Sequence, residues 1–305
     1  MFNFQPDMPT FFLKTPENFS FSRTVFSHGW CELLPFELDK ENWRLSYVFD
    51  ISKIPVPAII SETDGKIKIE VANGEIDKEK LLRDVRHILR LDDDLSEFYK
   101  LTKKDFAWLS ATNTGRMLRS PTVYEDLVKT ICTTNCSWAL TKKMTTTLVE
   151  KLGTPALNGK RAFPTAEQMA NESAEFYKSE IRAGYRSSYF AELAESVAGG
   201  KVNPESWLDS DLPTAELKKE MKKIKGVGDY AAENLLKLVG RYDGLALDSW
   251  LRSQFYKKRN NETVCDDKEI IKYYEKFGSW RGLVMWCDMT ERWHEKSEPP
   301  AVAGG

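Results

Sequence analysis

Residues 217–236 read LKKEMKKIKGVGDYAAENLL. Leu217, Met221 and Ile224 recur at i, i+4 and i+7, which predicts a helix ending near Lys225. Ala232, Leu235, Leu236 and Val239 repeat that spacing, which predicts a second helix starting near Asp229. Only Lys225, Gly226, Val227 and Gly228 join them, and a turn this tight needs backbone angles that favour glycine. Two glycines also remove the side chains that would hold a bulky anion away. The amides of Val227, Gly228 and the start of the second helix are therefore expected to point outward, unpaired, at the positive end of a helix dipole. A DNA phosphate fits such a site and would be held in position without base readout. An αα-hairpin whose glycines serve only packing has the same pattern. The basic flank, five Lys against two Glu between Pro213 and Lys225, favours the anion site.

After the loop Arg241-Tyr242-Asp243-Gly244 comes LALDSWL, residues 245–251, with Asp248 between an apolar stretch and an amphipathic segment carrying Trp250, Leu251 and Phe255. This is a helix N-cap position, and a capping Asp contributes about 1 kcal/mol. The second possibility is a carboxylate held next to the glycine hairpin for chemistry.

Upstream, the first ~75 residues read as β. Trp43, Leu45, Tyr47 and Phe49 alternate with Arg44, Ser46 and Asp50, and Ile67, Ile69 and Val71 follow an Asp64-Gly65 turn, a hairpin signal. From about Asp77 the pattern becomes helical, including helices at 166–177 and 189–197. The polar run 133–137 marks an inter-helix turn. The 305 residues carry a formal charge of -2, with 41% apolar and 30% charged residues, an ordinary globular composition. Residues 1–115 hold 15 basic and 19 acidic side chains, the remainder 29 and 27, so any attraction for an anion is local. No apolar run reaches the ~20 residues of a membrane helix, and no secretory leader is evident. Five cysteines do not make a disulfide framework, and a reduced intracellular protein is expected. Cys132 and Cys136 lack partners for zinc, and His28, His87 and His294 are read as structural.

With these motifs in place, the hairpin KGVGDYAAENLL (225–236) followed by Asp248, twenty residues after Gly228, resembles the helix-hairpin-helix (HhH-GPD) DNA glycosylase superfamily. SPTVYEDLVKTICTTN (120–135), FPTAEQMA (163–170), IRAGYRSSYF (181–190) and GSWRGLVMWCDM (278–289) resemble further helices of that superfamily. LRLDDDLSEFY (89–99) resembles the lead-in of its 3-methyladenine glycosylase II and 8-oxoguanine glycosylase branch. The resemblance implies an α+β protein. Residues 1–112 would form an N-terminal antiparallel β domain with a lead-in helix. Residues 113–296 would form an all-helical core in two lobes with the active site in the cleft, and residues 297–305 a disordered tail.

The resemblance also implies a chemistry. A damaged base is flipped out of the duplex, and Asp248 stabilises the charge that develops on the sugar and orients the attacking water. Bifunctional members carry a Schiff-base lysine two residues after the second hairpin glycine. Here that position is Tyr230, and the next lysine on the helix is Lys237, so a monofunctional enzyme is expected. Tyr230 either packs or stacks on a cationic base such as a methylated purine. Met285 and Met289 are either core or a soft pocket wall, and Asn234 and Trp250 are further pocket candidates. Asn135 is either a turn residue or the tip that fills the gap left by the flipped nucleotide, with Tyr185 and Arg186 propping the opposite strand. Lys225, Gly226, Val227 and Gly228 would hold the DNA backbone. No cofactor or resident metal is implied beyond a monovalent cation at the hairpin, and the cysteines do not have the spacing of an iron–sulfur site. The partner would be double-stranded DNA with a damaged base, bound by a monomer, in the cytoplasm of a prokaryote or the nucleus of a eukaryote. The alternatives are a glycosylase for 8-oxoguanine or deaminated bases, and a non-catalytic module binding damaged DNA.

Overall fold

The computed structural model describes residues 9–72 and 76–295, so the tail expected at 297–305 lies outside the described residues. The N-terminal part holds strands β1 (Thr10–Lys14), β2 (Glu37–Asp39), β3 (Arg44–Ile51), β4 (Ile54–Thr63) and β5 (Lys66–Val71), with a short helix α1 (Phe21–Val25) after the first. They form one sheet in the order β1-β5-β4-β3-β2, and every pairing is antiparallel. The alternation read in the sequence is the physical cause. Leu45, Tyr47 and Phe49 are buried on one face of β3 with Ile67 and Ile69 of β5. Asp64 and Gly65, at φ 50° and 66°, make the hairpin turn. Helix α2 (Lys78–Ile88), capped by Asp77, lays Leu81, Val85 and Ile88 against this sheet.

The rest is helical: α3 (Ser96–Thr102), α4 (Ala107–Ala111), α5 (Val123–Thr133), α6 (Trp138–Leu152), α7 (Ala166–Ala170), α8 (Ala174–Ser179), α9 (Ser187–Ala198), α10 (Thr214–Met221), α11 (Asp229–Leu238), α12 (Ser249–Arg259), α13 (Asp267–Tyr274) and α14 (Arg281–Glu295). The molecule is thus α+β. The single helix expected at 166–177 is two, because the Ser173 hydroxyl accepts from the Phe176 amide and starts a new helix. Among the described residues, no helix is long and apolar enough to cross a membrane.

Two helical cores follow. Helices α5 to α11 bury one cluster around Leu127, Leu148, Phe190 and Leu235. Helices α12 to α14 bury another around Leu251, Phe255, Tyr274 and Val284. That second cluster includes Leu95, Phe98, Phe106 and Leu109. The packing therefore joins α3 and α4 to the C-terminal lobe, although the 112/113 boundary groups them with the sheet. The sheet is tied to α5 by a buried polar network. Tyr47 donates to Glu125 Oε2 at 2.5 Å and Lys129 Nζ donates to Glu125 Oε1 at 2.6 Å. Lys129 is fully buried, a position a charge holds only when paired.

Candidate active site

The glycine turn carries the first part of the site. Helix α10 ends at Met221 with Lys222 as its cap, and Gly226 sits at φ +89° with no room for a side chain, since a Cβ there would lie 2.8 Å from the Tyr189 ring. Gly228 differs: its φ is ordinary and a Cβ would meet nothing within 4 Å. Gly228 thus faces outward at the start of α11, as a close approach by a partner requires. One expectation fails here. The Val227 amide is not free but donates to the Ile224 carbonyl at 3.1 Å, because the turn closes on itself, and the Val227 side chain is buried. The amides of Gly228 and Asp229 have no backbone acceptor among the described residues and remain for an anion.

The basic flank is internally paired. Lys218 and Lys222 each lie 3.0 Å from Asp229, Lys225 lies 2.6 Å from Glu192, and Lys223 lies 2.6 Å from Glu220. Exposed pairs of this kind contribute roughly 0–1 kcal/mol, so a phosphate can compete for these lysines.

Between the two helical lobes and the N-terminal segment lies a cavity of about 790 Å³. Its helical wall carries Tyr230 and Asn234, one turn apart on α11, with Asp248 and Trp250 at the start of α12. Asp248 caps α12, its Oδ1 accepting from the Leu251 amide at 2.7 Å. The two readings of Asp248 are therefore compatible: one oxygen fixes the helix end, and the residue also lines the cavity. Burial pushes the Tyr230 phenol up to about 12, with the Asp248 carboxylate adding to the shift, so Tyr230 stays neutral beside the acid. Lys237, two turns along α11, does not line the cavity. Its amine is sealed and has no hydrogen-bond partner among the described residues. Burial lowers it to about 8, against the attraction of Glu233 and Asp248.

The other walls were not found in the sequence. Phe26, His28, Gly29, Trp30, Glu32 and Lys40 come from the segment after α1; Thr130, Thr133, Cys136 and Trp138 come from α5, α6 and the turn between them. Helix α14 contributes Trp286 and Trp293, which stand 6.1 Å apart edge to face. Trp250 completes the cluster, 5.3 Å from Trp293. Met285 and Met289, expected as pocket candidates, are not on this wall. They share a face one residue out of register with Trp286 and are buried in the C-terminal core. The i, i+4 spacing was read correctly, but the side of the helix that meets the cavity is set by tertiary packing.

Asn135 sits exposed at the tip of the α5–α6 turn, at φ 47°. Tyr185, 51% exposed, reaches the same turn, its hydroxyl donating to the Thr134 carbonyl at 3.3 Å. Arg186 does not reach outward as expected. It is 3% exposed, and its Nε donates to the Ile131 carbonyl at 3.1 Å and to Thr134 Oγ1 at 3.3 Å. Its guanidinium fixes the α5–α6 turn from inside, because the carbonyls at the end of α5 lack helical partners.

No family profile and no curated protein matches the sequence. Solved structures do match in fold. MBOgg1 in complex with a low-affinity DNA ligand aligns over 96% of this chain and 98% of its own, with 20% identity and a TM-score of 0.76. The 3-methyladenine DNA-glycosylase from Archaeoglobus fulgidus aligns over 92% and 98%, with 18% identity and a TM-score of 0.74. The Clostridium acetobutylicum 8-oxoguanine glycosylase/lyase, in complex with double-stranded DNA containing cytosine opposite 8-oxoG, aligns over 92% and 93%, with 21% identity and a TM-score of 0.71. The sheet, the two helical lobes and the glycine hairpin of this chain together make the helix-hairpin-helix glycosylase fold.

Proposed function

We propose that the protein is a monofunctional DNA glycosylase that removes alkylated purines, such as 3-methyladenine, from double-stranded DNA. The observation that carries this is the placement of Asp248 on an aromatic cavity whose hairpin-side position is Tyr230 rather than lysine. In this reading the outward amides of Gly228 and Asp229, with Lys225, hold the DNA backbone. Asn135 occupies the gap left by the flipped nucleotide, and Tyr185 props the opposite strand. The base enters between the indole faces and Tyr230, where a cationic purine gains about 0.5–2 kcal/mol from each well-placed ring. The bond from C1′ to the purine nitrogen breaks, its electron pair leaves with the base, and positive charge builds on the sugar. The Asp248 carboxylate stabilises that charge, orients a water onto C1′ and takes the proton the water loses as its oxygen bonds to C1′, leaving an abasic site. Tyr230 stands where bifunctional members carry lysine, and Lys40, the one cavity-wall lysine among the described residues, sits over the Phe26 ring at 3.6 Å; in this reading no Schiff base forms and the strand stays intact. The carbonyls of Lys223 and Lys225 have no backbone donor among the described residues. They could hold a monovalent cation, which would supply positive charge towards a phosphate.

Duplexes carrying single lesions, incubated with the protein and then heated in alkali, test this reading. Breaks are expected only after alkali, and Asp248→Asn is expected to abolish them. Breaks before alkali would exclude the monofunctional reading, and absence of base release from every lesion would leave a DNA-binding module. A second reading, oxidised guanine as substrate, is favoured by Asn135 at the turn, since the 8-oxoguanine branch that the sequence resembles carries Asn at that tip, and the same lesions decide it.

A further inference from the structure

Most polar groups on the cavity wall are already engaged. Trp30 Nε1 donates to Asp126 Oδ1 at 2.7 Å, Trp286 Nε1 donates to the Ser27 carbonyl at 3.0 Å, and Trp138 Nε1 donates to Glu32 at 3.0 Å. These indoles offer the cavity faces and edges rather than donors. His28 is different. It is 7% exposed, lines the cavity and packs on Trp30 with ring centroids 4.8 Å apart. Its Nε2 lies 2.6 Å from the Leu118 carbonyl. A carbonyl only accepts, so Nε2 carries the proton and Nδ1 carries a bare lone pair. That Nδ1 has no hydrogen-bond partner among the described residues and is not among the atoms sealed from solvent. Burial holds the ring well below its ordinary range, at about 4, so the acceptor is neutral and does not repel a cation.

We propose that His28 reads the flipped base, its Nδ1 accepting a hydrogen from the 6-amino group of a cationic adenine-type purine and opposing the 6-carbonyl of a guanine-type one. This rests on the glycosylase reading above. The chemistry favours the pairing, because a methyl group that makes the purine cationic also strengthens its amino group as a donor. A 6-carbonyl in the same place would set two lone pairs against each other, leaving a buried acceptor unpaired.

DNA treated with dimethyl sulfate carries 3-methyladenine and 7-methylguanine together, so one digest gives the ratio in which they are released. A ratio within one preparation does not depend on how much of the protein is folded. His28→Phe removes the acceptor and is expected to lower the ratio about 10- to 100-fold, the range expected for an unpaired buried hydrogen-bonding group. The loss should fall on 3-methyladenine, with 7-methylguanine release unchanged or raised, because the opposing lone pair is gone. His28→Gln, whose amide can donate to Leu118 and still present a carbonyl oxygen, is expected to recover part of the ratio. An unchanged ratio in His28→Phe, or an equal fall of both bases, would overturn the proposal for His28 while leaving the glycosylase reading standing. Release of neither base, nor of any other lesion, by the wild-type protein would overturn both.

Discussion

The two sides of the cavity are built on different principles. The helical side carries the acid and is fixed by short-range bonds: Asp248 to an amide three residues on, and Asn234 Nδ2 to the Tyr230 carbonyl one turn back. The N-terminal side is largely aromatic, with Glu32 and Lys40 as its charged residues, and is fixed by bonds that span the chain. His28 is tied to Leu118, Trp30 to Asp126, and Trp286 to Ser27. The lesson is that the proposed reacting group depends on local structure, while the shape of the cavity around it depends on the folding of the whole molecule. Changes on the first side should alter rate with little effect on stability. Changes on the second should alter stability or substrate choice.

Asp248→Asn is the sharpest way to break this distinction. Asparagine caps a helix about as well as aspartate, so the unfolding temperature should hardly move. Base release should fall about 10²- to 10⁴-fold, the usual weight of one acid–base or electrostatic group. A variant that unfolds instead would show that the two roles of Asp248 cannot be separated.

The hairpin glycines extend the test. Gly226→Ala meets the Tyr189 ring at a positive φ and is expected to destabilise the fold by about 1–3 kcal/mol, measured by urea unfolding. Gly228→Ala meets open space. It should leave stability within about 0.5 kcal/mol while weakening binding to duplex DNA in a fluorescence-anisotropy titration.

On the N-terminal side, Asp126 holds Trp30, and burial raises its carboxyl to about 6. An acid with a folded pKa above its unfolded value makes the folded state bind the extra proton. Stability therefore rises as pH falls through about 6 towards 4. Asp126→Asn lacks this proton, so the stability of the wild type relative to the variant should grow by about 1–2 kcal/mol between pH 7 and pH 5. A constant difference in melts across that range would contradict the assignment.

The smallest contrast lies on α14. Trp286→Leu should lower release of cationic bases by about 2- to 30-fold through lost ring contact. Met285→Leu, one residue away in the packed core, should cost under about 1.5 kcal/mol and leave release unchanged.

This division also explains what the sequence reveals. Tyr230 follows from the resemblance of the glycine hairpin and Asn234 from lying one turn after it, whereas Asp248 is legible as a helix cap because capping is a local signal. The strand alternation around Tyr47 was legible for the same reason. Phe26, His28 and Trp30 lie in a segment with no periodicity, held by bonds to residues some ninety positions away, and nothing in their own neighbourhood announces them. Arg186 reads as a surface cation until α5 ends beside it, and its place inside the turn comes from carbonyls that only the fold brings near. Met285 against Trp286 is a matter of one residue on a helix whose facing partner is distant in sequence.

The paired hairpin lysines have a consequence for how the protein would travel on DNA. Each already has a carboxylate as counter-charge, so a phosphate docking there displaces a protein acid rather than recruiting an unpaired cation. Fewer counterions are then released per contact, and the dependence of binding on salt becomes shallower than the number of lysines suggests. Contact with undamaged duplex would be brief, and a longer stay would come only where a base enters the aromatic cavity.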